Sequence, residues 1–187
     1  MIGPPAGNTR TSRWQTGAVQ FEISDLNPDD VASAAKAHIV MQAATYAPYA
    51  KGDFTSQLFD SLERRVPDML ETDRVVVAKN PWGNIIGVAM VDDGPEHWEA
   101  TDSPRFVWPA VTRYLKTLFT MPGTHGSGLG SAMLETVLPC EEPAYLWTMT
   151  DNPRAIRFYE KHGFAPDGYE SISEGFGSMH MIRMVRA

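Results

Sequence analysis

The chain has 187 residues, of which 43% are hydrophobic, and this is enough for one domain with a single core. Acidic residues outnumber basic ones and give a formal net charge of −7, which disfavours nucleic acid as a partner. The single cysteine, Cys140, excludes an internal disulfide bond and, without a Cys/His cluster, a structural zinc site. Since the sequence has neither an apolar run of about eighteen residues nor an apolar leader, we expect a cytoplasmic protein without a membrane partner.

The amino-terminal segment is rich in Gly, Pro, Ser, Thr and Arg and has no hydrophobic periodicity. We therefore expect a flexible arm over residues 1–17, followed by a single domain over residues 18–187. Residues 19–23 alternate between apolar and polar side chains, which predicts the first strand of that domain.

Two helices are predicted next. Asn27 is a good helix cap and Pro28 suits the first helical position, so a helix is expected to run from there until Pro48 stops it. A second helix is expected over residues 55–70, with a kink or break before Pro67.

A hairpin follows, with strands over residues 74–78 and 85–91 joined by turn-forming residues 80–84. The polar connection over residues 92–104 is longer than most loops in compact domains, which favours a functional role for it. The remaining predicted elements are a strand over 113–121, a helix over 127–138, a strand over 144–149, a helix over 153–162, and hairpin strands over 164–169 and 179–185.

The most informative segment joins the 113–121 strand to its helix. An apolar run ends at Pro122 and continues into the alternating glycines Gly126, Gly128 and Gly130. Glycine lets the backbone approach an oxyanion closely, and the amino terminus of the following helix favours negative charge. The segment therefore predicts a binding site for a nucleotide-like diphosphate.

The glycine spacing excludes two common diphosphate sites. In a dinucleotide-binding G-x-G-x-x-G pattern starting at Gly126, the third glycine would fall on Ser131. In a Walker loop using Gly123 and Gly128, Leu129 stands where the lysine is required. We therefore expect neither an NAD site nor an ATPase.

The segment instead resembles the core of the GNAT superfamily of acyl-CoA N-acyltransferases. In that family a strand and a proline lead to a Gln or Arg, two further residues, a Gly, one residue, and a Gly or Ala before a helix. The matching positions here are Pro122, His125, Gly128 and Gly130.

A second block supports the same resemblance at the spacing that the family requires. Residues 151–164 resemble its N-x-x-A-x-x-x-Y-x-x-x-G-F signature, about twenty residues beyond the first block. The resemblance implies an α/β (α+β) fold, with a mixed, mostly antiparallel sheet of six to seven strands flanked by about four helices. It also implies acetyl-CoA as cosubstrate and no metal.

By this resemblance, the backbone of Leu118, Phe119 and Thr120 binds the pantetheine arm as if it were another strand. His125 stands where the family has Gln or Arg, so it either contacts a phosphate or positions the loop. The residues whose backbone amides would hold the pyrophosphate are Gly126, Ser127, Gly128, Leu129, Gly130 and Ser131.

The second block implies two further site residues. Asn152 matches the asparagine that contacts the pantetheine arm, and it also suits a cap for the helix that begins at Pro153. Tyr159 matches the tyrosine whose hydroxyl points at the CoA sulfur, where it would protonate the departing thiolate as general acid. The reaction implied is direct attack of an amine on the thioester.

The residue that removes a proton from the amine stays unassigned. Family members place a glutamate near the start of the strand before the glycine loop or on the next strand, and these positions hold Tyr114 and Trp147. A free phenol titrates at about 10, and indole is not a base. Candidates in the variable loops, each more often a solvated charge, are Glu96, His97, Glu99, Asp102 and Glu174.

Three functional hypotheses remain open. The leading one is an N-acetyltransferase for a small-molecule primary amine, for which a homodimer is a reasonable expectation. The second is acetylation of a protein amino terminus or lysine. The third is an inactive acyl-CoA-binding regulatory module, which the absence of a carboxylate at the two strand positions favours.

Four tryptophans either line an acceptor pocket or fill the core: Trp82, Trp98, Trp108 and Trp147.

Overall fold

One mixed sheet lies at the centre of the computed structural model, which describes residues 11–16, 19–50, 53–101, 106–173 and 177–187. Within these ranges its strands are β1 (Thr11–Thr16), β2 (Val19–Asp25), β3 (Arg74–Lys79), β4 (Ile85–Asp93), β5 (Arg113–Thr120), β6 (Ala144–Met149), β7 (Ala165–Ser173) and β8 (Met179–Arg186). They lie in the order β1-β2-β3-β4-β5-β6-β8-β7. The β5–β6 pair is parallel, and all other neighbouring strands are antiparallel.

Helices cover both faces of the sheet. Helices α5 and α6 pack with one apolar face of β2 to β6, whereas α1 and α3 pack against the opposite face of β3 and β4. This division follows from the alternation of side chains along each strand. In the described part of the chain the helices are α1 (Val31–Tyr46), α2 (Phe54–Asp60), α3 (Leu62–Glu71), α4 (His97–Thr101), α5 (Leu129–Val137) and α6 (Pro153–Lys161).

Local sequence signals explain two of the helix starts. The Asn27 side chain accepts a hydrogen bond of 2.9 Å from the Asp29 backbone amide, and Pro28 begins a single 3₁₀ turn that leads into α1. Asn152 caps α6 in the same way, with its side-chain oxygen 3.1 Å from the amide nitrogen of Ala155. Both helices therefore begin where the Asn-Pro pairs predict.

The mixed, mostly antiparallel α/β fold is confirmed, with three corrections to its elements. Residues 11–16, expected in the flexible arm, form β1 and pair with β2; residues 1–10 and 17–18 lie outside the described ranges. The predicted 55–70 helix breaks at Ser61, whose hydroxyl donates to the Leu58 carbonyl, while Pro67 lies inside α3. The predicted 92–104 connection contains the additional helix α4.

Strands β5 and β6 separate along their length, and this separation positions the candidate site. Their parallel register covers two residue pairs, Tyr114 with Tyr145 and Leu115 with Leu146. At the same point β5 carries a bulge, because Thr117 faces Met90 whereas Leu115 faces the next residue of β4. A bulge increases the local twist and bends its strand, so β5 turns away from β6 beyond Leu115.

Among the residues that the structure describes, none of the helices combines the length and the apolar character needed to span a lipid bilayer.

Candidate functional site

A cleft of about 400 Å³ occupies the gap between the separated strands. It passes between the two helical layers, because its lining includes Tyr46 of α1 on one face and Tyr159 of α6 on the other. Of the predicted binding residues, those that line it are Leu118, Phe119, Thr120, His125, Gly126, Gly128, Gly130, Ser131, Asn152 and Tyr159.

Two predicted loop residues do not line the cleft. Leu129, the first residue of α5, is completely buried in the core. Ser127 donates its hydroxyl to the Thr124 carbonyl at 2.7 Å. Their side chains therefore help to hold the loop in place. The prediction that their backbone amides bind the pyrophosphate stays a prediction.

The β5 backbone presents alternate residues to the gap. The Met121 amide donates to the Ile86 carbonyl of the β4 side at 2.9 Å, so the polar backbone groups of Phe119, two residues earlier, also face β4. Those of Leu118 and Thr120 consequently face the gap, where β6 is no longer paired with them. An extended ligand could hydrogen-bond there as an additional strand.

The glycine loop closes the wide end of the cleft. Gly126 and Gly128 have φ angles of +81° and +85°, which L side chains rarely adopt, and α5 begins directly after Gly128. A Cβ at Gly130 would lie 3.4 Å from a ring carbon of Phe158, close to an ordinary contact distance, so the start of α5 lies beside α6. The loop thus directs a helix amino terminus at the cleft, an arrangement that suits an anion.

His125 forms a pair with Arg154 of α6. The Arg154 Nη1 lies 2.6 Å from the His125 Nδ1, so the guanidinium donates and the imidazole accepts. Desolvation, followed by the charge of Arg154, lowers the pKa of His125, although a hydrogen bond to the Thr120 backbone opposes the shift. His125 is therefore neutral at physiological pH, and Arg154 supplies a fixed positive charge beside it in the cleft lining.

Two tyrosine hydroxyls lie in the middle of the cleft. Tyr159 packs against Phe158 and Phe164, with ring centroids 5.2 and 5.9 Å away, and burial raises its pKa above the ordinary value. Burial also raises the pKa of Tyr46, whose ring packs on Phe119 at 5.6 Å. Both phenols consequently remain protonated at neutral pH and can act as proton donors.

Of the two strand positions at which the sequence lacks a carboxylate, Trp147 lines the cleft and Tyr114 does not. Tyr114 is buried and stacks on Tyr145, with ring centroids 4.8 Å apart. Burial, followed by the charges of Glu96 and Glu99, raises the pKa of Tyr114 well above its ordinary value. Tyr114 is therefore a poor base.

A carboxylate of α4, Glu99, binds the cleft-lining Trp147 from outside the cleft lining. The Glu99 side chain accepts hydrogen bonds from the Tyr145 hydroxyl at 2.8 Å and from the Trp147 indole nitrogen at 2.9 Å. The residue is 1% exposed, so the expectation of a solvated loop charge is wrong for Glu99.

Lys116, at the β5 bulge, is held by two further carboxylates. Its ammonium lies 2.7 Å from Asp68 of α3 and 2.9 Å from Glu96 of the β4–β5 connection. Burial by itself would lower the pKa of Lys116, but the hydrogen bonds to Asp68 and Glu96 raise it overall. This amine is therefore protonated and is not a nucleophile at neutral pH.

The other loop and tryptophan candidates separate into three groups. Trp98 packs on Trp147 with ring centroids 5.5 Å apart, and Trp147 itself lines the cleft. Trp82 and Trp108 are 82% and 71% exposed, and neither belongs to the core or to the cleft lining. His97 begins α4, while Asp102 and Glu174 lie outside the described residues.

A family model of the acetyltransferase (GNAT) domain matches residues 71–166, just over half of the chain. The chain belongs to the GNAT acetyltransferase family. The match contains the cleft-forming strands β5 and β6, the glycine loop, and helices α5 and α6. Comparison with curated proteins gives no match by sequence.

Solved structures show the same GNAT fold at low sequence identity. Histone acetyltransferase HPA2 and related acetyltransferase from Corynebacterium glutamicum is 23% identical with a TM-score of 0.64, over 88% of this chain and 94% of that chain. PaiA N-acetyltransferase from Thermoplasma acidophilum, solved with coenzyme A, is 15% identical with a TM-score of 0.60, over 87% and 97%. Ard1 from Thermoplasma volcanium is 19% identical with a TM-score of 0.56, over 89% and 96%.

Sequence reasoning missed several residues that line the cleft of this GNAT domain, among them Arg154 and Tyr46. Arg154 follows the Asn-Pro pair that starts α6, and its position two residues after Asn152 could have indicated a charge near the glycine loop. Tyr46 carries no comparable signal, since it lies at the end of α1 and reaches the cleft through tertiary packing alone.

Proposed function

We propose that this GNAT protein is a cytoplasmic N-acetyltransferase that moves an acetyl group from acetyl-CoA to a primary amine of a small molecule. The observation that carries the proposal is the cleft between β5 and β6. It combines unpaired strand backbone at Leu118 and Thr120, a glycine loop at its wide end, and a protonated tyrosine, Tyr159, in its middle.

The residues of the cleft fit coenzyme A in chemical type. The amides around Gly126 and Gly128, together with Arg154, suit a pyrophosphate. The backbone of Leu118 and Thr120 suits the amide groups of the pantetheine arm, and Asn152 lies in the same cleft. When bound, acetyl-CoA would supply the activated acetyl group as a thioester.

The chain's own residues would then perform three tasks. The gap-facing backbone of β5 would orient the acetyl group and polarise its carbonyl oxygen. The Tyr159 hydroxyl would donate a proton to the leaving sulfur, because burial keeps this phenol protonated. The fit of the acceptor would depend on the aromatic side chains Tyr46, Phe119 and Trp147 that line the cleft.

A small acceptor is favoured over a protein chain by the packing of α4 beside Trp147, which lines the cleft. Helix α4 brings Glu99 over the Tyr145 and Trp147 side chains, and this carboxylate is almost fully buried there. A protein acceptor would need an open groove at this point. Acetylation of a peptide amine is therefore the second outcome that an acceptor screen must test.

The first experiment is thermal unfolding with and without acetyl-CoA. Ligand at about 100 times Kd should stabilise the protein by about 2.7 kcal/mol, or roughly 5–10 °C for a chain of this length. Absence of a shift at millimolar acetyl-CoA would contradict the proposal.

An acceptor screen with detection of the released thiol follows. Transfer to small amines in preference to peptides supports the proposed acceptor class, whereas preferential transfer to a peptide overturns it. Binding without transfer to any acceptor would favour the inactive regulatory module.

A further inference from the structure

The Glu99 carboxylate is buried without a cation. It accepts hydrogen bonds from the Tyr145 hydroxyl, the Trp147 indole and the backbone amide of Glu96, at 2.8, 2.9 and 2.9 Å. All three donors are neutral, and no ion pair within 4.0 Å reaches Glu99 from the described residues. Buried charges in proteins are normally paired, so this one lacks a counter-ion.

The neighbouring cations already have partners. Lys116 is bound by Asp68 and Glu96, and Arg183 lies 2.7 Å from Asp167. Glu99 therefore has no direct ion-pair partner among the described residues, and the Arg183 guanidinium lies 5.9 Å from the centre of the Trp147 ring. Glu99 does not itself line the cleft, so its charge would act on a ligand across the Trp147 indole and not by direct contact.

Glu99 acts on the cleft through Trp147. The indole lines the cleft, and its orientation is set by the bond to Glu99 and by packing on Trp98 and Tyr169 at 5.5 and 5.7 Å. With Tyr46 and Phe119 also in the lining, the acceptor side presents several aromatic surfaces. Such surfaces favour a flat apolar body and interact well with cations.

We propose that Glu99 is a positioning residue that determines acceptor specificity. It holds the Trp147 indole, which forms a wall of the acceptor site, and it favours a cationic amine carried on an aromatic or flat apolar body. This inference rests on the proposed function, because it names the acceptor class of the same cleft. An aliphatic polyamine would lack an apolar body to pack on the aromatic side chains. A neutral acceptor would lack a positive charge to complement the carboxylate.

Binding measurements with coenzyme A already bound test this without any transfer step. Benzylamine and its neutral isostere benzyl alcohol are titrated into the coenzyme A complexes of the wild-type protein and of Glu99→Gln. We expect benzylamine to bind the wild type at least tenfold more tightly than Glu99→Gln, with little change for benzyl alcohol. Equal weakening for both probes would mean that Glu99 only shapes the wall, and would overturn charge selection.

Two further variants keep the test independent of folding defects. Glu99→Asp retains the charge and should recover part of the preference for benzylamine, whereas Trp147→Phe should weaken both probes. Tighter binding of spermidine than of benzylamine to the wild type would overturn the aromatic part of the inference. Failure of coenzyme A to bind the wild type would contradict the proposed function itself, so the two failures are distinguishable.

Discussion

The Arg154 guanidinium and the His125 imidazole form a hydrogen bond of 2.6 Å between α6 and the loop that follows β5. The pair explains how this chain uses a histidine where the family pattern has a glutamine or an arginine. The imidazole stays neutral because desolvation and Arg154 lower its pKa, while Arg154 carries the charge.

This division of roles predicts that Arg154→Met weakens coenzyme A binding by about five- to tenfold, since a charged contact to a phosphate is lost at an exposed position. His125→Gln should change the affinity by less than about threefold, because a neutral group replaces a neutral group. Titration calorimetry measures both. Arg157→Met is the matched control, as Arg157 is exposed on the same helix but does not line the cleft. A larger effect at His125 than at Arg154 would contradict the assignment.

Tyr159→Phe should lower kcat by at least about tenfold and leave acetyl-CoA affinity nearly unchanged, since the substitution removes a proton donor but keeps the ring. Steady-state kinetics with the best acceptor, together with calorimetry, separate the two effects. Tyr49→Phe serves as control, because Tyr49 is 43% exposed and lies outside the cleft lining. Full activity of Tyr159→Phe would eliminate Tyr159 as general acid.

Gly94→Ala should lower the free energy of unfolding by about 1–3 kcal/mol through overpacking. A Cβ at this position would overlap the Tyr145 hydroxyl oxygen and lie 2.8 Å from the ring carbon that bears it. The substitution would therefore displace the hydroxyl that donates to Glu99. Urea unfolding measures the loss.

Two further variants check the cause of that loss. Gly123→Ala is the control, because nothing lies within 4 Å of a Cβ at Gly123. The Gly94→Ala substitution should cost less in a Tyr145→Phe background, where the overlapping oxygen is absent. An equal cost in both backgrounds would place the strain elsewhere.

His38 predicts a loss of stability at acidic pH. The residue lies on α1, is 1% exposed, and packs on Phe119 of β5 with ring centroids 5.5 Å apart. Its Nδ1 lies 3.3 Å from Arg65, and its Nε2 has no hydrogen-bond partner among the described residues. Burial, followed by the charges of Arg65 and Lys116, lowers the pKa of His38 from 6.5 to about 3. Below pH 6.5 the unfolded chain therefore takes up a proton that the folded protein does not.

Stability from this group is fully present above pH 6.5 and declines as pH falls towards 3. The wild type should accordingly lose roughly 2–3 kcal/mol more of its unfolding free energy than His38→Gln between pH 7 and about 4.5. Urea unfolding of both proteins at both pH values measures this difference. The carboxylates titrate in both proteins, so their contribution cancels in the comparison. His180→Gln, at an exposed position, should behave like the wild type.

Local signals in the sequence were sufficient for most of the elements. The Asn-Pro pairs define where helices begin, alternating apolar residues define strands, and glycines mark the loop after Pro122. Each of these features depends on residues close together in the chain, so it can be recognised without knowing the fold. The placement of His125, Asn152 and Tyr159 in one cleft followed from the family resemblance.

Only the tertiary structure decided that β1 forms, that Glu99 is buried and that Arg154 meets His125. β1 exists because β2 offers an edge for residues that have little periodicity of their own. Glu99 changes from an ordinary loop charge to a buried carboxylate because α4 folds over Tyr145 and Trp147, 46 and 48 residues away in the chain. Arg154 meets His125 only because α6 packs beside α5. Burial and charge pairing of this kind depend on which distant residues become neighbours, and a linear pattern does not encode that directly.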